Sequence, residues 1–132
     1  MIKLSFIKPN ELEKNCKATI HKSGKLGFTD NAIKKLNLAN AKGVMIAQNE
    51  SDPTDTSFYL QVLTEENADA FKVSKAGAYY YINTKALFDK LKLDYLNPSK
   101  TYAYDIKDFD YDGQKMYKLI KREDKKDETV SN

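Results

Sequence analysis

Hydrophobic and polar residues alternate along much of this chain, and at two places the alternation gives way to helical periodicity. Residues 17–28 (KATIHKSGKLGF) alternate around Gly24 and run into DNAIKKLNL, where apolar residues recur at helical spacing. Residues 71–82 (FKVSKAGAYYYI) alternate around Gly77 and run into TKALFDKLKL. Because period-two alternation is typical of strands and glycine of turns, each stretch predicts a β-hairpin followed by a short helix.

The two stretches form an internal repeat. With Gly24 aligned to Gly77, Ile20 aligns with Val73 and Lys22 with Lys75, and a two-residue insertion brings the helices into register. Each copy continues with two more strand patterns, KGVMIAQ and SFYLQVL in the first, KTYAYDI and QKMYKLI in the second. The intervening NESDPTDT and KDFDYDG carry Asp, Asn, Pro and Gly, which predicts hairpin loops. Residues 17–63 and 71–122 are therefore two predicted β-β-α-β-β repeats.

Neither repeat is expected to be stable alone. Asp30 or Asn31 in the first copy, and Asn83 or Thr84 in the second, stand where a helix N-cap is needed. The helices that follow are short and need a sheet to pack on. A unit of about 45 residues buries little surface. We therefore expect one domain over residues 1–122, in which the two repeats share a core with approximate two-fold symmetry.

The flanking segments carry weaker patterns. Ile2, Leu4 and Phe6 alternate with polar residues and predict an N-terminal strand over residues 1–9, ended by Pro9. Residues 123–132 are charged and poor in apolar residues, which predicts a disordered tail. The opening apolar run is too short for a signal peptide, and no stretch reaches membrane-spanning length, so the expected location is the cytoplasm.

Composition agrees with a β-rich domain. The chain has 132 residues with nine tyrosines, six phenylalanines and no tryptophan, and its net charge is +3. Aromatic residues favour strands, so the predicted class is mainly β with short helices. A charge of +3 permits binding to nucleic acid without requiring it. Whether the chain binds nucleic acid must therefore be judged from the distribution of the lysines along the sequence.

The order of elements resembles a known family. An alternating strand, a turn glycine followed by a basic residue, a second strand, a short helix and a terminal hairpin resemble the AbrB-like (SpoVT/AbrB) domain, and HKSGKLGFTDNAIKKLNL fits this pattern without a gap. The resemblance covers about residues 17–63 and, more loosely, 71–122. It implies a swapped-hairpin β-barrel that in this chain is a single-chain pseudo-dimer. It also implies a small DNA-binding transcriptional regulator, in a bacterium or one of its mobile elements.

The chain departs from the family pattern at several positions. Thr29 stands where a proline usually follows the second strand, Ala78 replaces the basic residue kept as Lys25, and Asp89 takes the place of Lys34. The two repeats are therefore not equivalent. The resemblance assigns DNA contacts to basic residues on the first hairpin and helix of each repeat, here Lys17, Lys22, Lys25, Lys34, Lys35, Lys72, Lys75, Lys85 and Lys90.

The lysines by themselves indicate phosphate binding rather than base reading. Between Lys17 and Lys35 there are five lysines and one acid, Asp30. Lysines on a hairpin beside a helix start can meet phosphates together, although each lysine alone equally fits a solvated surface. Neither hairpin contains arginine, the commonest reader of guanine, so we expect affinity for the DNA backbone more than base specificity.

Catalysis and metal binding have little support. His21 is the lone histidine and Cys16 the lone cysteine, and no recognisable motif places a nucleophile beside His21. The acids Asp105, Asp108, Asp110 and Asp112 lack EF-hand spacing and fit a strand and turn better than a calcium loop. The chain is therefore expected not to be an enzyme, with no cofactor and no metal site.

The consecutive Tyr79, Tyr80 and Tyr81 leave an alternative open. At least one must face away from the core of a strand, where it can stack on unpaired bases, mark a protein interface or pack on the outside of the barrel. Double-stranded DNA is the expected partner and single-stranded nucleic acid the alternative ligand. The rival function is a protein-interaction or antitoxin-like module that has lost DNA recognition. Because both halves lie in one chain, we expect a monomer, with any further dimer weaker than the internal pairing.

Overall fold

The computed structural model of the chain describes residues 2–6 and 16–122. Within these residues the repeated β-β-α-β-β order and the mainly β class are confirmed, with one 3-10 helix in the first repeat. The elements are β1 (Lys17–Ile20), β2 (Leu26–Phe28), α1 (Asp30–Leu36), the 3-10 helix (Leu38–Asn40), β3 (Gly43–Ala47), β4 (Phe58–Leu63), β5 (Val73–Ala76), β6 (Tyr79–Ile82), α2 (Lys85–Lys90), β7 (Ala103–Tyr111) and β8 (Gln114–Lys121).

All eight strands belong to one antiparallel sheet that curls into a nearly closed barrel. Its strand order is β3-β4-β8-β7-β1-β2-β6-β5. An isolated bridge between Val44 of β3 and Phe71, just before β5, brings the two ends of the sheet together. The Val44 N–H donates to the Phe71 carbonyl at 2.9 Å, and the Phe71 N–H donates to the Val44 carbonyl at 2.8 Å. This bridge joins the two ends of the sheet at one point.

Strands of the two repeats pair with each other throughout the sheet. β1 lies beside β7, with Ala18 opposite Tyr104. β2 lies beside β6, and β4 lies beside β8, with Leu60 opposite Tyr117. Both repeats also supply the core, where the Phe58 ring packs 5.5 Å from that of Phe88 and 5.6 Å from that of Tyr104. Burial of these apolar side chains, shared between the repeats, is the main stabilising contribution.

The last hairpin differs from the prediction. β7 continues to Tyr111, so most of the predicted KDFDYDG loop is strand, and the turn consists of Asp112 and Gly113. Both turn residues have positive φ, 51° and 74°. The density of aspartates suggested a loop, but Phe109 and Tyr111 keep the strand alternation, and Phe109 lies opposite Met116 of β8.

The N-cap of α1 lies one residue before the first predicted candidate, whereas that of α2 is one of the two predicted candidates. The N-cap positions are Thr29 and Thr84, so Thr84 is confirmed, whereas Asp30 begins α1 and Asn31 and Asn83 are not caps. Neither threonine caps its helix with its side chain. Thr29 Oγ1 accepts a hydrogen bond from the Lys17 N–H at 3.1 Å, and Thr84 Oγ1 donates to the Gly24 carbonyl at 3.0 Å. Both hydroxyls therefore link the helix start to a strand or a turn.

The predicted N-terminal strand is wrong over residues 2–6. These residues form no strand, and Ile2, Leu4 and Phe6 are 85%, 74% and 82% exposed. Alternation alone does not make a strand when no neighbouring strand pairs with it. The remainder of that prediction, at residue 1 and residues 7–9, and the predicted tail over residues 123–132 lie outside the described residues. No helix in the described part of the chain is long and apolar enough to cross a membrane.

Candidate nucleic-acid interface

The two repeat hairpins lie side by side in the sheet and present one continuous outer surface. Ala18, Ile20, Leu26 and Ile82 are buried in the core. Because successive side chains of a strand point to opposite faces, the residues between them point outward. We call this surface the hairpin face and define it by the outward residues of β1, β2, β6 and β5 and of their flanks: Lys17, Thr19, His21, Lys25, Gly27, Thr29, Lys72, Ser74, Ala76, Tyr79, Tyr81 and Asn83.

The rings of His21, Tyr81 and Tyr79 form a row across the hairpin face, which we call the aromatic row. The ring centroids of His21 and Tyr81 are 5.6 Å apart in an edge-to-face arrangement, and those of Tyr81 and Tyr79 are 6.4 Å apart. Gly27 lies beneath two of them, the rings of His21 and Tyr81. A Cβ atom at this glycine would lie 2.2 Å from His21 Nε2 and 3.3 Å from Tyr81 Cε1. The absence of a side chain on Gly27 thus lets the His21 and Tyr81 rings settle over the sheet.

The hairpin face is basic. It carries Lys17, Lys25 and Lys72, and none of its defining positions is Asp or Glu. On the neighbouring strand β7, Asp105 lies opposite Lys17. Asp105 Oδ1 lies 2.7 Å from Arg122 Nη2, so this acid is already paired with a cation. Anions approaching the face therefore meet lysines without direct competition from its own side chains.

A groove of about 380 Å³ adjoins the hairpin face at the end of β1. It lies between the first hairpin and the loop before β7, and its lining includes Thr19, His21, Lys22, Lys100 and Tyr102. No Asp or Glu lines it. Lys100 Nζ is 4.0 Å from Asp94 Oδ2, at the limit of an ion pair. The groove thus extends the basic and aromatic character of the hairpin face.

The turn of the first hairpin packs against the helix of the second repeat. Gly24, with φ of 82°, accepts the Thr84 hydrogen bond through its carbonyl. A Cβ atom on Gly24 would lie 2.6 Å from Lys85 Cγ, so the turn and the first residue of α2 are in close contact. The basic turn therefore lies beside α2 rather than beside α1 of its own repeat.

Lys85 is occupied by a local ion pair. Its Nζ atom is 2.7 Å from Asp89 Oδ2, and the Tyr95 hydroxyl also donates a hydrogen bond to the Asp89 carboxylate. The hydrogen bond from Lys85, followed by that from Tyr95, lowers the pKa of Asp89. The same pair, chiefly through the Asp89 hydrogen bond, raises the pKa of Lys85. Asp89 thus partly neutralises the α2 lysine that packs against the first hairpin turn.

The structure brings only part of the predicted lysine set together. Lys17, Lys25 and Lys72 share the hairpin face, and Lys22 lies in the adjoining turn. Lys75 points to the other side of β5, where its Nζ atom lies 5.9 Å from the centre of the Tyr80 ring.

The helix lysines lie elsewhere. Lys34 and Lys35 are in the last turn of α1 and line a cleft beside β7, where Lys35 Nζ is 3.4 Å from Asp108 Oδ1. Lys90 ends α2 and is exposed. Lys25 precedes β2, whereas α1 follows the other end of that strand. The turn lysines Lys22 and Lys25 are therefore not grouped with the lysines of α1, whereas Lys17 lies beside the start of that helix.

Other candidate chemistry does not converge on a centre. Cys16 is buried and lines the α1–β7 cleft. Asp105 and Asp108 each pair with a cation, and Asp110 and Asp112 are exposed at the end of the last hairpin. Within residues 2–6 and 16–122, no group of three or more His, Cys, Asp or Glu side chains could hold a metal ion.

Sequence reasoning did not identify the aromatic row or the groove. The sequence pattern indicates no link between His21 and the tyrosines, and it does not mark Lys100 or Tyr102 as ligand-binding residues. One signal was present: Gly27 interrupts a strand at an outward position, which often marks a place where another group approaches the backbone closely. Which group approaches depends on the β2–β6 pairing, which local patterns do not reveal.

Comparison with protein-family models finds no match, and comparisons with curated proteins and with solved structures find no significant match either.

Proposed function

We propose that the chain is a DNA-binding protein that regulates transcription and that the hairpin face, with the Lys22 turn, is the surface that meets DNA. The observation that carries this proposal is the segregation of charge: Lys17, Lys25 and Lys72 share a face on which no defining residue is acidic. A surface of this kind attracts the phosphate backbone. By contrast, Lys35 and Lys85, which lie outside this face, are each paired with an aspartate.

We further propose that the barrel is an AbrB-like pseudo-dimer. The strand pairing supports this, since β2 pairs with β6 and β4 with β8, which are the corresponding strands of the two repeats. The first strand of each repeat also meets the third strand of the other. Ala18 and Phe71, which stand at equal distances before the two aligned glycines, pair with Tyr104 and Val44 respectively.

Phosphate contacts dominate the proposed complex. Lysine ammonium groups act as point charges towards phosphate, and no arginine lies on the hairpin face to read guanine in a bidentate manner. Binding should therefore depend steeply on salt and only weakly on sequence.

The test replaces Lys25 and Lys72 by glutamine and measures binding of labelled duplex DNA by fluorescence anisotropy at several salt concentrations. Both side chains are exposed, so the substitutions should leave the melting temperature nearly unchanged. Affinity should fall, and the slope of log affinity against log salt should flatten by about 0.9 for each phosphate that the variant no longer neutralises.

The matched control replaces Lys107 and Lys115 by glutamine. These two exposed lysines lie on the β7–β8 hairpin, beyond the part of β7 that pairs with β1. This variant has the same net charge as the test variant and should bind nearly as tightly as the wild type. Equal weakening by both variants would mean that charge acts diffusely and that the hairpin face is not the binding surface.

A protein-interaction role without DNA recognition is the second candidate. The observation that favours it is a second aromatic groove of about 440 Å³, whose lining includes Tyr59, Phe109, Tyr111 and Met116. Tyr111 is 63% exposed there, and aromatic and methionine residues are enriched at protein interfaces. Absence of binding to any DNA at low salt would favour this candidate over the first.

A further inference from the structure

We propose that the hairpin face stacks unpaired bases, so that its preferred ligand is single-stranded DNA. This inference rests on the proposed function, because it requires the hairpin face to be the DNA-binding surface. It adds which form of DNA this surface favours, and the aromatic row is the observation that supports it.

The three rings are available for stacking. Tyr79 is 61% exposed, Tyr81 is half-buried and His21 is exposed. The centroids of Tyr79 and Tyr81 are 6.4 Å apart, and the planes of their rings are inclined by only 36°. Two neighbouring rings with similar orientation can receive successive bases of an extended strand. Hydrophobic packing does not require these tyrosines, since Ile82 and the core residues of β2 fill the inner side.

Charged groups lie on both sides of the row. Lys25 and Lys72 lie towards the turn of the first hairpin, and Lys17 lies on the outermost strand of the four, β1. The groove at the end of β1 continues the path with Lys22, Lys100 and Tyr102. A strand whose bases stack on Tyr79 and Tyr81 can thus keep its phosphates near ammonium groups, the combination of stacking platform and basic channel that single-strand binders use.

Duplex DNA cannot use this row fully. In a duplex each base is stacked between its neighbours, so its face is not available to a protein side chain unless the stack opens. Lysine contacts to phosphate are possible with both forms of DNA. The rings therefore add binding energy for single strands that duplexes cannot obtain, and single strands should bind more tightly at equal length.

The experiment measures anisotropy of a labelled oligothymidylate of about 12 nucleotides, within the span of common single-strand sites, against a duplex of similar length. The full chain is compared with the double variant Tyr79→Leu, Tyr81→Leu. Loss of each stacked base should weaken single-strand binding by about 5- to 150-fold. Duplex binding should change little, because the lysines remain.

Two controls separate stacking from folding. The variant Tyr79→Phe, Tyr81→Phe keeps both rings and should bind as the wild type does. Tyr111→Leu removes an equally exposed tyrosine, at 63%, from the β7–β8 hairpin and should also leave binding unchanged. As a readout that needs no variant, photo-crosslinking of a bromodeoxyuridine-containing strand should label Tyr79, Tyr81 or His21.

The outcomes distinguish this inference from the function on which it rests. Binding of duplex as tight as that of single strands, wild-type binding by a folded leucine variant, or crosslinks confined to other residues would each overturn the inference and leave the proposed DNA-binding function standing. No binding of either form would overturn both.

Discussion

At the scale of single residues, two glycines with similar backbone conformations have different surroundings. Gly24 and Gly77 turn the two repeat hairpins with φ of 82° and 62°. Residues with a Cβ atom rarely adopt this left-handed region. A Cβ atom on Gly77 would meet nothing within 4 Å, whereas one on Gly24 would lie 2.6 Å and 2.8 Å from Lys85 Cγ and Cβ and 3.1 Å from its Cα.

We therefore predict that Gly24→Ala is more destabilising than Gly77→Ala. Both substitutions should cost about 1–2 kcal/mol because of the left-handed backbone. Gly24→Ala should cost more, because α2 must shift or the turn must open. Urea unfolding of the two variants gives the comparison, in which Gly77→Ala is the control. Equal destabilisation would show that the turn does not press against α2.

The sequence pattern indicates where the turns lie more readily than which distant residues come into contact. The turn glycines Gly24 and Gly77, for example, follow from the sequence pattern and lie in turns with positive φ. The sequence predicts Asn83 or Thr84 as the helix N-cap, and Thr84 occupies that position, but its hydroxyl donates to the carbonyl of Gly24, sixty residues away in the chain, instead of capping the helix. A local pattern carries no information on such a contact, and the same limit hid the approach of His21 and Tyr81 over Gly27.

At the scale of elements, the two helices differ in their ion pairs. The ion pair of α2 joins two residues of that helix, whereas the ion pair of α1 joins the helix to a strand. Lys85 and Asp89 face each other one turn apart on this helix, and Tyr95 donates to the same carboxylate from the following loop. Opposite charges at this spacing support short helices. In α1 the corresponding interaction reaches out of the helix, from Lys35 to Asp108 of β7.

The Lys85–Asp89 ion pair predicts that the stability of the fold depends on pH. The pKa of Asp89 is lowered in the folded state, mainly by the hydrogen bond from Lys85. Its contribution to the free energy of unfolding is therefore present above the ordinary aspartate pKa of 3.8 and is lost as pH falls through the lower folded value. The pKa of Lys85 is raised, so its contribution is present below its unfolded pKa, near 10.5, and disappears as pH rises through the higher folded value.

Asp89→Asn should consequently lower stability slightly at neutral pH, by an amount that shrinks in acid. A double-mutant cycle with Lys85→Gln, followed by urea unfolding between neutral and acid pH, isolates the coupling. The coupling should be favourable at neutral pH and should vanish once Asp89 is protonated. A coupling that stays constant across this range would contradict the ion pair as its source.

Element boundaries were predicted less well than element order. Asp108, Asp110 and Asp112 are typical of turns and predict a long loop after β7. Phe109 and Tyr111 pair across to β8 and extend the strand instead. Conversely, Ile2, Leu4 and Phe6 have the alternation of a strand but form none. In both cases the presence or absence of a neighbouring strand outweighed local composition.

At the scale of the whole molecule, the repeats are structurally interdependent. The first repeat alone would have no partners for β1, β2 and β4 on one side, because these strands pair there with β7, β6 and β8. The second repeat would be deprived of the same strand pairings. The sequence repeat predicts a shared core, since two short units with short helices cannot each bury one. It did not predict where the lysines gather, because that depends on which hairpin packs against which helix.

This interdependence predicts that the two halves fold only together. Separation between residues 66 and 67 cuts an exposed loop between β4 and β5 and leaves every strand intact. Fragments 1–66 and 67–132, expressed separately, should each lack cooperative thermal unfolding and β-type circular dichroism as monomers. Mixing them should restore both, in an equimolar complex with the 15.1 kDa mass of the intact chain. The intact chain, measured by light scattering under the same conditions, is the control and should be a monomer. A fragment that folds as a stable monomer would contradict the shared core, because the pairing of β4 with β8 and of β2 with β6 would then be dispensable.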